Sequence, residues 1–467
     1  MLERTRDVYS ILALRGKTVN ASRAVSAQES NLLSRLAEAR SRTDALFLTL
    51  PPNSFYDRPI PERHRLIFYL GHLEAFDFNL LGEPLGLASH DEAFNKLFAF
   101  GIDPVDGGLP ADQPKDWPTI ARVEKYNRTT REHLNEAIHN SGLVRSGETS
   151  AATEQLLNVA IEHRLMHAET LAYLLHNLPT DKKNIEPHED EDDGPGPEPV
   201  QVMIPSGIAT LGQPRKERAF GWDNEFAEQK VLVPSFAIDV FPVTNGEYLK
   251  FVQARGYEVP KYWRPEDWEW RRKQNLQHPH FWIPRNAGNP SALDTRWNYR
   301  SMTGSVPLPE SWPVYVSHAE ATAYSRWARK KLPTEEQWHR AAYGTPEGRE
   351  RAYPWGDSLG TLANGNFHHQ RWDAAPVDDH PEGASAFGVQ DLLGNGWEWT
   401  STTFGPLPGF EPFSFYPGYS ADFFDSKHYV MKGGSPRTDL CMLRRSFRNW
   451  FQPHYPYVYG SFRCVED

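Results

Sequence analysis

The chain has 467 residues, with 50 Lys and Arg against 61 Asp and Glu and a formal net charge of −11. That balance argues against nucleic acid as a partner, because affinity for a phosphate backbone comes from clustered Lys and Arg. Hydrophobic residues make up 39% and charged residues 24%, an ordinary globular composition on a chain too long for one core, so two domains are expected. The start, Met1-Leu2-Glu3-Arg4-Thr5-Arg6-Asp7, lacks the apolar core of a signal peptide, and no stretch is apolar enough to span a bilayer. A soluble cytoplasmic protein is therefore expected, with no membrane partner. Only Cys441 and Cys464 occur, which rules out a disulfide framework or thiolate cluster from this chain alone. Both are read as buried small hydrophobes, and any iron or zinc must use His and carboxylate.

Taken in chain order, apolar residues at three-to-four spacing predict helices over 30–48, 62–81, 117–139 and 153–177, a four-helix bundle. Pro61-Glu62 and Trp117-Pro118-Thr119 are read as helix starts, and Asn177-Leu178-Pro179 as a stop. The segment NIEPHEDEDDGPGPEPV at 184–200 has almost nothing apolar to bury and no periodicity, which marks an acidic, Pro-rich linker. The domains are thus expected at 1–183 and 201–467. Beyond the linker the character changes to short β-like runs such as 231–234 and 236–240, a helix over 318–331, many aromatics and Gly, Pro and Asn punctuation. Long irregular stretches of this kind are usually binding surfaces or functional loops, and no short-period repeat is present.

The run Glu162-His163-Arg164-Leu165-Met166-His167-Ala168-Glu169 places two histidines four apart in a helical pattern, and His72 lies alone in a second helical stretch. An i, i+4 spacing brings both imidazoles onto one helix face. A third from a neighbouring helix would complete a facial set and leave coordination positions open for chemistry. Taken alone, such a pair is more often incidental or a satisfied core pair. Glu169 falls off the face shared with His163 and is read, like Glu74, as a supporting or structural residue. Of the other histidines, His64, His90, His176, His188, His278, His280, His368 and His369 are assigned to the surface or to ordinary hydrogen bonds. Trp397 and Trp399 are assigned to the core.

Five segments in order resemble the formylglycine-generating-enzyme superfamily of C-type-lectin-like domains: 241–248, 331–338, 394–401 (GNGWEWTS), 432–435 (KGGS), and 448–450 continuing to 460–463. Members that make formylglycine use a close cysteine pair, whereas Cys441 and Cys464 lie far apart in sequence. Joined to a bundle carrying Phe68-Tyr69-Leu70-Gly71-His72-Leu73-Glu74 and the His163/His167 motif, the chain resembles the iron-dependent ergothioneine-pathway sulfoxide synthases and their selenoneine synthase relatives. The resemblance implies a DinB-like four-helix bundle followed by an α+β formylglycine-generating-enzyme-like domain. It also implies Fe(II) on His72, His163 and His167, and an active site in the cleft between domains. Asn449 and Trp450 match the segment that holds the trimethylammonium and carboxylate end of hercynine, and an aromatic face suits a quaternary ammonium that cannot donate hydrogen bonds.

This chain departs from the family at several places. The Gln that bonds the substrate imidazole is Met166. The Tyr-Pro-Gly-Phe loop reads Leu407-Pro408-Gly409-Phe410, and a tyrosine pair reads as the phenylalanines of 96–100. The carboxylate used with γ-glutamylcysteine is Phe451. The expectation is oxidative carbon–selenium (or carbon–sulfur) bond formation on hercynine, with O2 and a selenosugar or thiol donor, in the selenoneine branch. Met166, Leu407 and Phe451 would then shape the pocket, with Tyr416 and Tyr455 as candidate proton donors. A cysteine-using ergothioneine enzyme, a non-redox zinc transferase or hydrolase, and a catalytically silent binding protein remain as alternatives.

Overall fold

The computed structural model describes residues 32–99, 109–140, 151–186, 194–215, 219–285 and 297–466. Residues 187–193 of the expected linker, with His188, and Phe100 lie outside these. The first part is helical: α1 (Leu32–Phe47), α2 (Leu66–Leu81), the short α3 (Glu92–Leu97), α4 (Ile120–Asn140) and α5 (Ala151–Asn177). In α4 the buried positions Val123, Tyr126, Thr130, Leu134 and Ile138 fall on one stripe, the signature of a helix with a single core-facing side. Helix α2 is buried almost all round, and it packs against both α4 and α5 while α1 runs along α5.

Burying α2 also buries its polar residues, and these are paired. Arg164 Nη1 donates to Glu74 Oε1 at 3.0 Å and its Nη2 to Asp77 Oδ2 at 2.6 Å. Arg131 Nε reaches Glu74 at 2.7 Å while its Nη atoms fork onto Asp44. These cations hold the Glu74 carboxyl down at about 2, so Glu74 fastens α2 to α4 and α5, a structural role as expected.

The expected start of α2 at Pro61-Glu62 is four residues early. Arg65 is extended (φ −66, ψ 154). Its side chain is committed elsewhere, to the Tyr56 carbonyl at 2.6 Å and to Asp112, so the chain joins the helix only at Leu66. Similarly, the helix expected over 318–331 ends at Trp327; Arg329 takes φ 59, a left-handed conformation that stops an α-helix.

The second part is mixed α and β. Its strands are β1 (Gln201–Ile204), β2 (Gly207–Leu211), β3 (Gln229–Val233), β4 (Phe236–Asp239), β5 (Trp282–Pro284), β6 (Trp297–Arg300), β7 (Ser305–Pro307), β8 (Gly396–Thr403), β9 (Tyr429–Gly434), β10 (Asn449–Phe451), β11 (Gly460–Ser461) and β12 (Val465–Glu466). They form sheets of order β10-β9-β8-β11, β1-β4-β12, β2-β3 and β5-β6-β7. The sequence motifs explain themselves at β8 and β9. Trp397 pairs with Gly433, where φ is +101 and an added Cβ would meet the Leu392 carbonyl at 2.8 Å, so only glycine fits. Glu398 is fully buried and answered by Arg463 at 2.6 and 2.7 Å and by the Trp338 indole N–H at 2.9 Å. Cys464 is buried in this core, while Cys441 is half-buried.

Helix α5 is the seam between the two parts. Glu169 accepts from the Trp397 indole at 2.7 Å, Ser435 at 2.6 Å and Thr438 at 2.8 Å, so the expected core residue Trp397 also ties the domains together. Immediately before His163, Glu162 meets Arg444 at 2.7 and 3.0 Å and the Trp222 indole at 2.9 Å. The same guanidinium bonds Glu225 at 2.5 and 2.8 Å. At the far end, His176 bonds the Arg300 carbonyl at 2.6 Å and His280 bonds Asn177 at 2.6 Å. Both histidines make ordinary hydrogen bonds, as the sequence reading held.

Candidate metal centre

The spacing of α5 sets His163 and His167 on one face, and α2 brings His72 against them. The ring centroids lie 5.2 Å apart for His72–His163, 4.8 Å for His72–His167 and 4.5 Å for His163–His167. One nitrogen from each ring falls within 4.8 Å of the others. His72 Nδ1 is 2.7 Å from the Phe98 carbonyl, which can only accept, so Nδ1 carries the hydrogen and Nε2 keeps its lone pair. That Nε2 lies 3.2 Å from His167 Nε2, close to the spacing of about 3 Å for two imidazoles on adjacent positions of an ion at about 2.1 Å. The buried Nδ1 atoms of His163 and His167 have no hydrogen-bond partner among the described residues.

Burial lowers the basicity of all three. His72 falls to about 4, and His163 and His167 are pushed well below the usual range, with neighbouring rings and arginines adding to the effect. Neutral imidazoles with converging lone pairs, shut away from other partners, are a ligand set for a divalent ion. The residues fit a resident metal: three nitrogen donors and no thiolate, leaving positions for exogenous ligands.

Two walls with residues from both domains flank this centre. On one, Phe76 stacks on His163 (3.4 Å, 9°), Tyr416 lies 5.6 Å from Phe76 and 5.5 Å from Tyr419, and the Tyr419 hydroxyl donates to Met166 Sδ at 3.5 Å. Burial raises the Tyr416 phenol to about 12 and the Tyr419 phenol well above its ordinary value. Tyr419 stacks on Trp222 at 3.9 Å and meets the edge of Trp450 at 5.5 Å; Trp450 stacks in turn on Phe404 at 4.1 Å. On the other wall, Phe451 stacks on Tyr455 (5.4 Å, 4°), and Arg63 Nε donates to the Tyr455 hydroxyl at 2.8 Å. The Arg63 charge is felt at His167.

The structure therefore groups Met166, Tyr416 and Trp450 through Tyr419, and Phe451 with Tyr455. Asn449 precedes Trp450 on β10 and caps its N–H at 2.9 Å. Leu407 is buried beside Gly212. Sequence reasoning missed Tyr419, Arg63 and the Glu162–Arg444–Glu225 clamp. The i, i+3 tyrosines of Tyr416-Pro417-Gly418-Tyr419 were a visible signal for the first of these; Arg444 carried none.

Residues 187–467 match the sulfatase-modifying factor enzyme 1-like domain, and the chain belongs to that family. Residues 35–171 match the DinB superfamily, so a DinB helical domain precedes it. The chain is similar to a hercynine oxygenase of Mycolicibacterium smegmatis, 36% identical over 279 residues, which is 58% of this chain and 62% of that protein. It is also similar to ergothioneine biosynthesis protein 1 of Neurospora crassa, 30% identical over 502 residues, covering 90% of this chain and 55% of the relative. The inactive C-alpha-formylglycine-generating enzyme 2 of Mus musculus is 33% identical over 245 residues, 46% of this chain and 72% of that protein. The chain thus spans less than two thirds of the first two relatives. Among the described residues no helix is long and apolar enough to cross a membrane.

Proposed function

We propose that the chain is a non-heme Fe(II) oxidoreductase that joins a selenium or sulfur donor to the imidazole carbon between the two nitrogens of hercynine. In the overall reaction the ring C–H and donor Se–H (or S–H) bonds break and the carbon–chalcogen bond forms. O2 accepts four electrons, one oxygen going to the chalcogen and the other to water. The observation that carries this reading is the convergence of His72, His163 and His167, whose ligand atoms lie within 4.8 Å of one another. The name of the Mycolicibacterium relative supplies the substrate, and that of the Neurospora relative places it in ergothioneine biosynthesis. Iron there supplies the one-electron chemistry that side chains lack.

The chain's own residues bind and orient. Asn449 and Trp450 hold the trimethylammonium and carboxylate end, and Met166, Phe451 and Leu407 shape the pocket. The division into 1–183 and 201–467 about a linker at 184–200, and a cytoplasmic location, belong to the same reading. Phe451, stacked on Tyr455, offers an apolar surface that suits a neutral donor such as a selenosugar. Arg63 on the same wall favours a second reading, a cysteine-like thiol whose carboxylate it would attract.

Anaerobic reconstitution with Fe(II), followed by O2 uptake with hercynine and each of a selenosugar, cysteine and γ-glutamylcysteine, tests this. Hercynine-dependent uptake with the selenosugar is expected. Turnover with a thiol alone rejects the selenium assignment, and tight zinc with activity indifferent to O2 replaces the oxidase by a transferase.

A further inference from the structure

At the C-terminal end of α5 the second domain leaves a cavity of about 350 Å3 beside β5 and β6, within the range of about 300–1,000 Å3 usual for small-molecule sites. Exposed Asn275 and Gln277, half-buried His278, His280 and Arg300, and buried Trp282 line it. Its walls are held to the last turn of α5, since His280 bonds the Asn177 amide oxygen and His176 the Arg300 carbonyl, both at 2.6 Å. His176 follows His167 by about 13 Å along the helix axis, so the cavity is separate from the triad.

Arg300 is the anomaly in this lining. Its guanidinium has no hydrogen bond or ion pair among the described residues, and burial lowers its basicity. By contrast, Arg131, Arg164 and Arg444 are each answered by carboxylates. None of the lining residues is acidic. Asp373, whose charge reaches Lys183 together with that of Arg300, is spent on the Met302 N–H at 3.0 and 3.1 Å and on His176 at 3.6 Å. Burial also pushes His280 down to about 3 and His278 below its ordinary value, so at neutral pH both imidazoles are uncharged and Arg300 is the cation of the cavity. A desolvated guanidinium without a counter-charge is costly, and a ligand of opposite sign would offset that cost.

We propose that this cavity is a second ligand site, which binds a small molecule through an oxyanion, a phosphate or a carboxylate, forked by the Arg300 guanidinium. A planar guanidinium matches two oxygens of either group, and the Asn275 and Gln277 amides supply further donors. The site does not depend on what the triad binds. Because its walls are tied to α5, an occupied cavity stabilises the seam between the domains.

The test uses the full chain loaded anaerobically with Fe(II) and compares the wild type with Arg300→Met and Arg300→Lys. Binding of inorganic phosphate and, separately, of acetate is read by calorimetry and by thermal melts, against chloride at matched ionic strength. The wild type should bind at least one oxyanion saturably and melt higher with it. That affinity should fall about tenfold or more in Arg300→Met and less in Arg300→Lys, which keeps the charge and loses the fork. Preference for phosphate assigns the cavity to a phosphorylated ligand, and preference for acetate to a carboxylic acid. Without added anion, Arg300→Met should melt no lower than the wild type, because it removes a charge that nothing answers. A lower melt would make the arginine structural and overturn the proposal. So would equal anion binding in the wild type and Arg300→Met, as from phosphate reaching the metal, or no binding of either anion beyond chloride.

Discussion

Replacing Arg444 by Met leaves two buried carboxylates facing each other across the domain seam. All five guanidinium N–H groups are used: Nη1 to Glu162 and the Cys441 carbonyl, Nη2 to Glu162 and Glu225, and Nε to Glu225. Four of these bonds are charge-assisted, at about 1.5–3 kcal/mol each, but they share one cation whose desolvation opposes them, so their sum overstates the effect. Removing one partner from a buried ionic group costs about 3–5 kcal/mol, most of it the penalty of the charge left behind. That is the expected loss for Arg444→Met in denaturant unfolding followed by far-ultraviolet circular dichroism. Arg444→Lys, which keeps the charge and loses the fork, should fall between.

The pH dependence of that loss has a definite sign. Burial already raises the Glu162 carboxyl against the opposing pull of Arg444, and removing the arginine raises it further. A group whose folded pKa lies above its unfolded value favours folding fully only at pH below the unfolded value near 4.3, and that favour disappears as pH rises through the folded value. The deficit of Arg444→Met should therefore be largest at neutral pH and shrink toward acid. A loss below about 1 kcal/mol at pH 7, the size of an exposed ion pair, would refute the clamp.

Two further substitutions probe the centre's supports. A Cβ on Gly71 would sit 2.5 Å from the ring of Phe98, a fully buried residue whose carbonyl accepts from His72. Gly71→Ala should outweigh the helix propensity it gains and weaken metal affinity about 10–100-fold, as loss of a ligand's hydrogen-bond partner does; competition with a chelator reads this. Burial lowers the Lys183 ammonium to about 8 despite Asp373, so the unfolded chain binds more protons between about 8 and the ordinary value near 10.4. Stability should accordingly rise with pH across that window and lose the rise in Lys183→Met, by thermal melts at each pH.

The helical half was legible because its signals are local. Apolar spacing located α1, α2, α4 and α5 to within a few residues, and the His163/His167 interval fixed a shared face. What escaped depends on contacts across great chain separations. Glu162 and Arg444 stand 282 residues apart, and nothing around Arg444 distinguishes it from Arg445. Strands of two or three residues such as β11 and β12 carry too few positions for alternation to show. Tyr419 was overshadowed by Tyr416 because only the stack on Trp222 reveals which hydroxyl reaches α5.

Metal content, with the coordination seen by X-ray absorption, bears most directly on the account. Wild-type protein reconstituted anaerobically should hold about one ferrous ion per chain in a shell with imidazole scattering. His72→Ala, His163→Ala and His167→Ala, each folded by circular dichroism, should lose it. Iron bound undiminished in all three variants would contradict the assignment.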